Sequence, residues 1–142
     1  MYVLDMGVVL AMHRADHPAH DRVRPWFEEL LDGTEQFAVP RPVWASFLRH
    51  ATDPAIFVEP TPAATAFDFI DAVCAQPLFL PVEAGPRHLR LLRTLCVDAP
   101  ALSSLVPVAV VAAIAAEHHC IVATLDEAIT RFSGVSHLLL GH

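Results

Sequence analysis

The feature that most constrains this chain is the alternation of short apolar segments with longer segments of helical periodicity. Strand-length apolar runs occur at residues 2–4, 37–39, 79–80, 120–123 and 135–140. Between them, apolar residues recur with the spacing of the buried face of a helix. Strands that alternate with helices from end to end predict a three-layer α/β/α architecture, with a central, mostly parallel sheet of four to five strands.

The length of the chain predicts a single domain over residues 1–142. A chain of 142 residues is long enough to bury its own core, and a hydrophobic content of 54% excludes intrinsic disorder. No internal repeat, low-complexity tract or linker divides it. The three cysteines contain no CxxC pair, which disfavours a zinc site and predicts buried thiols at Cys74, Cys96 and Cys120.

The sequence does not predict a membrane span or a signal peptide. The longest apolar run, residues 105–116, is shorter than the roughly 20 residues that span a bilayer and contains Pro107. Asp5 stands near the start without a preceding basic residue, which disfavours a signal peptide. We therefore expect a cytoplasmic protein with no membrane partner.

The net charge of the chain disfavours one class of partner, polyanions that are bound non-specifically. Nine basic residues, all of them Arg, oppose sixteen acidic residues and give a net charge of −7. A protein that binds polyanions non-specifically shows the opposite balance.

Two carboxylates follow predicted strands. Asp5 ends the first strand, and Asp126 lies just beyond the strand at 120–123. Ligands of open parallel sheets bind at the carboxyl ends of the strands, and carboxylates are preferred ligands of Mg²⁺. Asp is also a common helix N-cap, so capping is the alternative role of each residue.

Several motifs, in this order and at this spacing, resemble the PIN-domain nucleases, and among them the VapC-type toxins of actinobacterial toxin–antitoxin pairs. The resemblance covers essentially the whole chain. The segments that carry it are Val3-Leu4-Asp5, Ala15-Asp16-His17-Pro18 with His20, Val43-Trp44-Ala45-Ser46-Phe47-Leu48-Arg49, Ile56-Phe57-Val58-Glu59-Pro60, Gly85-Pro86-Arg87-His88, Leu105-Val106-Pro107, and Thr124-Leu125-Asp126 with Arg131-Phe132.

This resemblance implies an Mg²⁺- or Mn²⁺-dependent endoribonuclease, a homodimer, and inhibition by a cognate VapB-type antitoxin. In that family an acidic quartet binds the metal, which activates water for attack on RNA. The first and fourth acids match Asp5 and Asp126, and Thr124 keeps the family's small hydroxyl residue. The second and third acids fall on Ser46 and Val108.

The two missing acids predict a degenerate active site. Two carboxylates hold Mg²⁺ weakly, because the ion dehydrates reluctantly, and valine supplies no ligand. Asp98, in an expected loop, and Glu127, expected to point elsewhere, are the candidate replacements. We therefore expect metal to be weakly bound or absent and nuclease activity to be impaired.

Three explanations of the chain remain open at this stage. The first is a weakened VapC-like endoribonuclease, and the second is a non-catalytic PIN domain kept as a dimerising or antitoxin-binding module. The third is that a substitution was engineered, either for crystallisation or to reduce toxicity.

Other polar residues have both functional and structural interpretations. Arg49 and Arg87 are candidate RNA contacts, although Arg49 could instead pair with an acid and a solvated face explains Arg87 equally well. His13, His17 and His20 have a spacing compatible with metal binding, but Pro18 interrupts the segment and favours a structural corner.

Overall fold

A four-stranded parallel sheet forms the centre of the computed structural model, which describes residues 1–141. Its strands stand in the order β2-β1-β3-β4. The strands are β1 (Tyr2–Leu4), β2 (Phe37–Ala38), β3 (Ile121–Thr124) and β4 (His137–Leu139). The helices that flank the sheet are α1 (Met6–His13), α2 (His20–Asp32), α3 (Arg41–Ala51), α4 (Ala63–Cys74), α5 (His88–Asp98) and α6 (Leu105–Glu117). This arrangement confirms the predicted α/β fold.

The central strands and α6 make the core. Val3, Leu4, Val122 and Ala123 of the paired strands β1 and β3 are fully or almost fully buried. Strands buried on both faces read as continuous apolar runs, which is why these segments stand out in the sequence. Helix α6 is apolar nearly all round for the same reason.

The expected strand at residues 79–80 is not a full strand. Phe79 forms a single parallel bridge to Phe37 beside β2, and Leu80 N–H donates to the Phe37 carbonyl over 2.8 Å. Pro81 follows directly, and a proline has no N–H with which to extend a ladder. The sheet therefore has four strands within residues 1–141.

Two further expectations are wrong. Asp98 is not in a loop but is the last residue of α5. The three thiols are not all buried, because Cys74 is exposed at the end of α4, Cys96 is half-buried, and only Cys120 is buried. Helix α4 buries the face that carries Ala66, Ile70 and Val73, and this leaves its last side chain in solvent.

Candidate active site

The carboxyl ends of β1 and β3 bring three polar side chains together. Leu4 pairs with Ala123 in the sheet, so the residues that follow each strand emerge side by side. The Thr124 hydroxyl donates to Asp5 Oδ2, and the Asp126 N–H donates to Thr124 Oγ1 over 2.9 Å. Thr124 thus joins the two aspartates that the sequence places at strand ends.

Both aspartates also cap helices. Asp5 Oδ1 accepts the Val8 N–H at 3.0 Å at the start of α1. Asp126 Oδ1 accepts the Ala128 N–H at 2.9 Å at the start of a short 3₁₀ helix, Glu127–Arg131. An N-cap carboxylate satisfies N–H groups that lack a partner within the helix. The capping interpretation therefore describes both residues, and it does not compete with their place at one site.

The electrostatics of Asp5 reflect its position below the surface. Burial, the largest cause, raises the pKa of Asp5 to about 6, and the charge of Asp126 adds to the rise. Hydrogen bonds from Thr124 and Val8 act in the opposite direction. A carboxyl group with such a pKa is partly protonated near neutral pH, which weakens its attraction for cations.

A cavity of about 880 Å³ opens over these residues. The sequence-predicted site residues that line it are Asp5, Ser46, Arg49, Val108, Thr124 and Asp126. Arg87, by contrast, lies outside this lining. Its guanidinium donates to the Glu117 carbonyl over 2.7 Å, and its backbone N–H donates to Glu117 Oε2 over 2.9 Å.

Four further polar residues line the same cavity. They are His17, His50, Ser104 and Glu127, whereas Asp98 is not among the lining residues. The signal for His50 was its place one residue after Arg49, and His17 stood in the Asp-His-Pro corner. Neither signal specified the direction of the side chain.

The three N-terminal histidines do not form one cluster. His13 Nε2 is 3.0 Å from Thr61 Oγ1, and His20 Nδ1 is 2.7 Å from the Ala11 carbonyl. His17 Nδ1 accepts the Ala19 N–H at 3.0 Å. His17 and His20 therefore fix the α1–α2 corner, whereas His13 links the end of α1 to the segment before α4.

The α6 side of the cavity is apolar. Val106, Pro107, Val108 and Val111, from the first two turns of the helix, line it. Position 108, where the family resemblance places an acid, lines the same cavity as the two aspartates, and valine presents methyl groups there instead.

These residues do not fit a tightly held divalent cation. Both Asp5 oxygens and one Asp126 oxygen already accept hydrogen bonds from the chain. Ser46 offers a neutral hydroxyl and Val108 offers no donor atom. Across residues 1–141, no group of three or more His, Cys, Asp or Glu side chains is arranged to hold a metal ion. Mg²⁺ sites use oxygen ligands in near-octahedral geometry, and this set is too small.

The sequence relatives agree with one another. The family model described as "PIN domain" matches residues 2–135. Ribonuclease VapC31 of Mycobacterium tuberculosis is 55% identical over 138 residues, which cover 97% of each chain. Ribonuclease VapC25 of the same organism is 54% identical over the same shares.

A solved structure agrees at the level of the fold. The crystal structure of VapBC2 from Rickettsia felis, bound to a DNA fragment from its promoter, contains a chain with a TM-score of 0.71 and 10% identity. The match covers 98% of both chains. The chain therefore belongs to the PIN-domain family, among its VapC-type toxins.

Proposed function

We propose that this chain is a VapC-type PIN-domain protein whose metal-dependent endoribonuclease activity is impaired. The observation that carries the proposal is the position of Val108 in the cavity that Asp5 and Asp126 line. Metal-activated water is the nucleophile that such a site supplies when its acids hold an ion. With Ser46 and Val108 in place of two acids, we expect weak metal binding and RNA cleavage near or below detection.

Restoring the missing acid tests this proposal. Val108→Asp adds a carboxylate to the cavity. Val108→Asn is the matched control, because asparagine has the size of aspartate but no charge. We expect Mn²⁺ titration calorimetry to show binding by Val108→Asp that the parent chain and Val108→Asn lack. RNA cleavage should rise in the same variant. Tight Mn²⁺ binding and full RNA cleavage by the parent chain would contradict the proposal.

A solved structure with the same fold supports an antitoxin as the partner of this chain. The Rickettsia felis neighbour is a VapBC complex, which supports a VapB-type antitoxin as the partner of this chain. We propose a homodimer, with RNA as the substrate wherever activity remains, in the cytoplasm. Within residues 1–141 no helix has the length and apolar character of a membrane span.

The position of Val108 in the cavity also favours a second candidate function, a non-catalytic PIN domain that dimerises or binds antitoxin. Expression of Asp5→Ala in a bacterial host separates the two. If residual catalysis matters, Asp5→Ala abolishes any toxicity of the parent chain. If the chain is only a binding module, Asp5→Ala leaves the effect of expression unchanged, and substitutions on the antitoxin-binding surface alter it.

A further inference from the structure

The cavity contains a hydrogen-bond donor whose protonation state is fixed by the backbone. His17 Nδ1 accepts the Ala19 N–H, so the neutral ring carries its proton on Nε2. Burial, as the largest cause, holds the pKa of His17 below its ordinary value, in keeping with a neutral ring. Since Nδ1 is occupied by the backbone, Nε2–H is the polar atom of this ring left for a ligand in the cavity.

Asp126 supplies a fixed hydrogen-bond acceptor in the same cavity. Asp126 Oδ1 accepts the Ala128 N–H, whereas Oδ2 accepts no hydrogen bond within residues 1–141. The Asp126 side chain is exposed at the cavity, and its N–H is anchored on Thr124. The carboxylate is thus held in place with one oxygen open to a donor from outside the chain.

The α6 part of the cavity lining is apolar and offers methyl groups at Val106, Val108 and Val111. Such a wall gives a cation no ligand and a phosphate no donor. It suits the flat face of a heteroaromatic ring, and the volume of about 880 Å³ lies within the range of small-ligand sites.

We propose that the cavity binds an unpaired guanine base of RNA, with the α6 valines contacting its face and His17 and Asp126 bonding its edges. The inference rests on RNA as the ligand in the proposed function, and it requires no metal. Proteins that recognise RNA sequence take up splayed-out bases and bond their edges. His17 and Val108 would then be specificity-determining residues.

Guanine matches the polar groups better than the other bases do. Its N1–H and N2–H₂ donors lie side by side, so Asp126 Oδ2 would accept one of them and the remaining lone pair of Oδ1, beside the Ala128 N–H, would accept the other. The O6 and N7 acceptors of guanine fit a neutral imidazole N–H. Adenine lacks the paired donors on that edge, and cytosine and uracil have smaller faces to cover the valines. Arg49 lines the cavity and is exposed, so its guanidinium is available to the phosphate of the same nucleotide.

The test is calorimetric titration of the full chain with GMP, AMP, CMP and UMP in EDTA. We expect GMP to bind at least about tenfold more tightly than the others. Two substitutions at one position separate the roles of the ring: His17→Asn keeps an acceptor for the Ala19 N–H but lacks the distal donor, whereas His17→Gln supplies a distal N–H. We expect His17→Asn to lose about tenfold in GMP affinity and His17→Gln to lose less.

His20→Asn is the control, because His20 bonds the Ala11 carbonyl and does not line the cavity. We expect Val108→Asp to weaken GMP binding as well, because it places a charge against the base, and thermal unfolding of each variant verifies that it is folded. No binding of GMP, equal binding of the four nucleotides, or a preference for GMP that survives His17→Asn would each overturn the inference. The titration contains no metal and reads binding alone, so its outcome is independent of the Mn²⁺ and cleavage test of Val108→Asp.

Discussion

At the scale of single residues, Asp5 shows how one carboxyl group serves several needs. It caps α1, accepts the Thr124 hydroxyl and lines the cavity. The first two roles stabilise the fold, yet burial opposes the ionised form that a metal site needs. The residue therefore carries a cost to stability that depends on pH.

We expect replacement of this carboxyl group to increase the free energy of unfolding by a measurable amount. The folded pKa of about 6 lies above the unfolded value of 3.8, so the folded state binds the extra proton between these values. The free energy of unfolding contributed by Asp5 therefore falls as pH rises from about 4 to 6, by about 3 kcal/mol at most. Asp5→Asn cannot ionise and keeps an oxygen for the cap, so we expect it to be about 1–3 kcal/mol more stable than the parent above pH 6.

Urea unfolding at a series of pH values checks this expectation. The gain should vanish at about pH 3, below both pKa values, where Asp5 is protonated in both states, and this measurement is the internal control. A variant that is less stable than the parent at pH 7.5 would show that the Thr124 and Val8 hydrogen bonds outweigh the burial of the charge.

The residues of the site could be predicted only in part. Asp5 and Asp126 could be predicted because apolar runs mark strand ends, and parallel strands bring their carboxyl ends to one edge. Thr124 was predicted from the family resemblance alone. Glu127 and His17 were not assigned to the cavity, because their directions depend on the 3₁₀ turn and on the Ala19 N–H. The position of Arg87 could not be predicted, because its guanidinium bonds Glu117, which is 30 residues away in the chain.

At the scale of elements, the C-terminus of α6 is fastened to the segment that leads into α5. Glu117 is buried, and its carboxylate accepts the Gly85 N–H at 2.7 Å and the Arg87 N–H at 2.9 Å. These bonds, with Gly85 as the largest cause, hold the pKa of Glu117 below its ordinary value. We call Gly85, Arg87 and Glu117 the α6 clamp.

The α6 clamp explains why position 85 is glycine. A Cβ atom at Gly85 would stand 2.6 Å from Glu117 Oε2, so Gly85→Ala forces the carboxylate away from its N–H partners. We expect a loss of about 1–3 kcal/mol in unfolding free energy, seen as a lower midpoint in thermal unfolding. Gly33→Ala is the matched control, because its Cβ would lie 3.5 Å from the Leu30 carbonyl, an ordinary contact. Equal stability of the two variants would mean that the α6 clamp can move at no cost.

The elements themselves were largely readable from the sequence, and the errors have a common cause. β1, β3 and α6 are long or apolar enough to be decided by their own residues. The segment at Phe79 has the composition of a strand, but Pro81 and the single bridge to Phe37 stop the ladder. Helix α5 extends to Asp98 although it has no buried residue, because packing against α6 maintains it.

At the scale of the whole molecule, the sixteen acids take on a different meaning from the one that the net charge suggests. In a metal-dependent nuclease, acids gathered around an ion allow a negatively charged protein to act on a phosphodiester. Here most acids lie elsewhere, and those at the site are engaged with the chain. The fold is thus complete without an ion, since Asp5 and Asp126 take their hydrogen bonds from Val8, Thr124 and Ala128.

A fold that needs no ion should show the same thermal stability with and without one. An ion whose dissociation constant is at or above an added concentration of about 1 mM stabilises the folded state by at most about 0.4 kcal/mol. We therefore expect the unfolding midpoint of the parent chain to differ by no more than about 2 °C between EDTA and about 1 mM Mn²⁺. Val108→Asp should be less stable than the parent in EDTA, because a third carboxylate then shares the cavity with Asp5 and Asp126, and Mn²⁺ should raise its midpoint. A large rise for the parent chain on addition of Mn²⁺ would show that two aspartates suffice to hold the ion, and the degenerate site would have to be reconsidered.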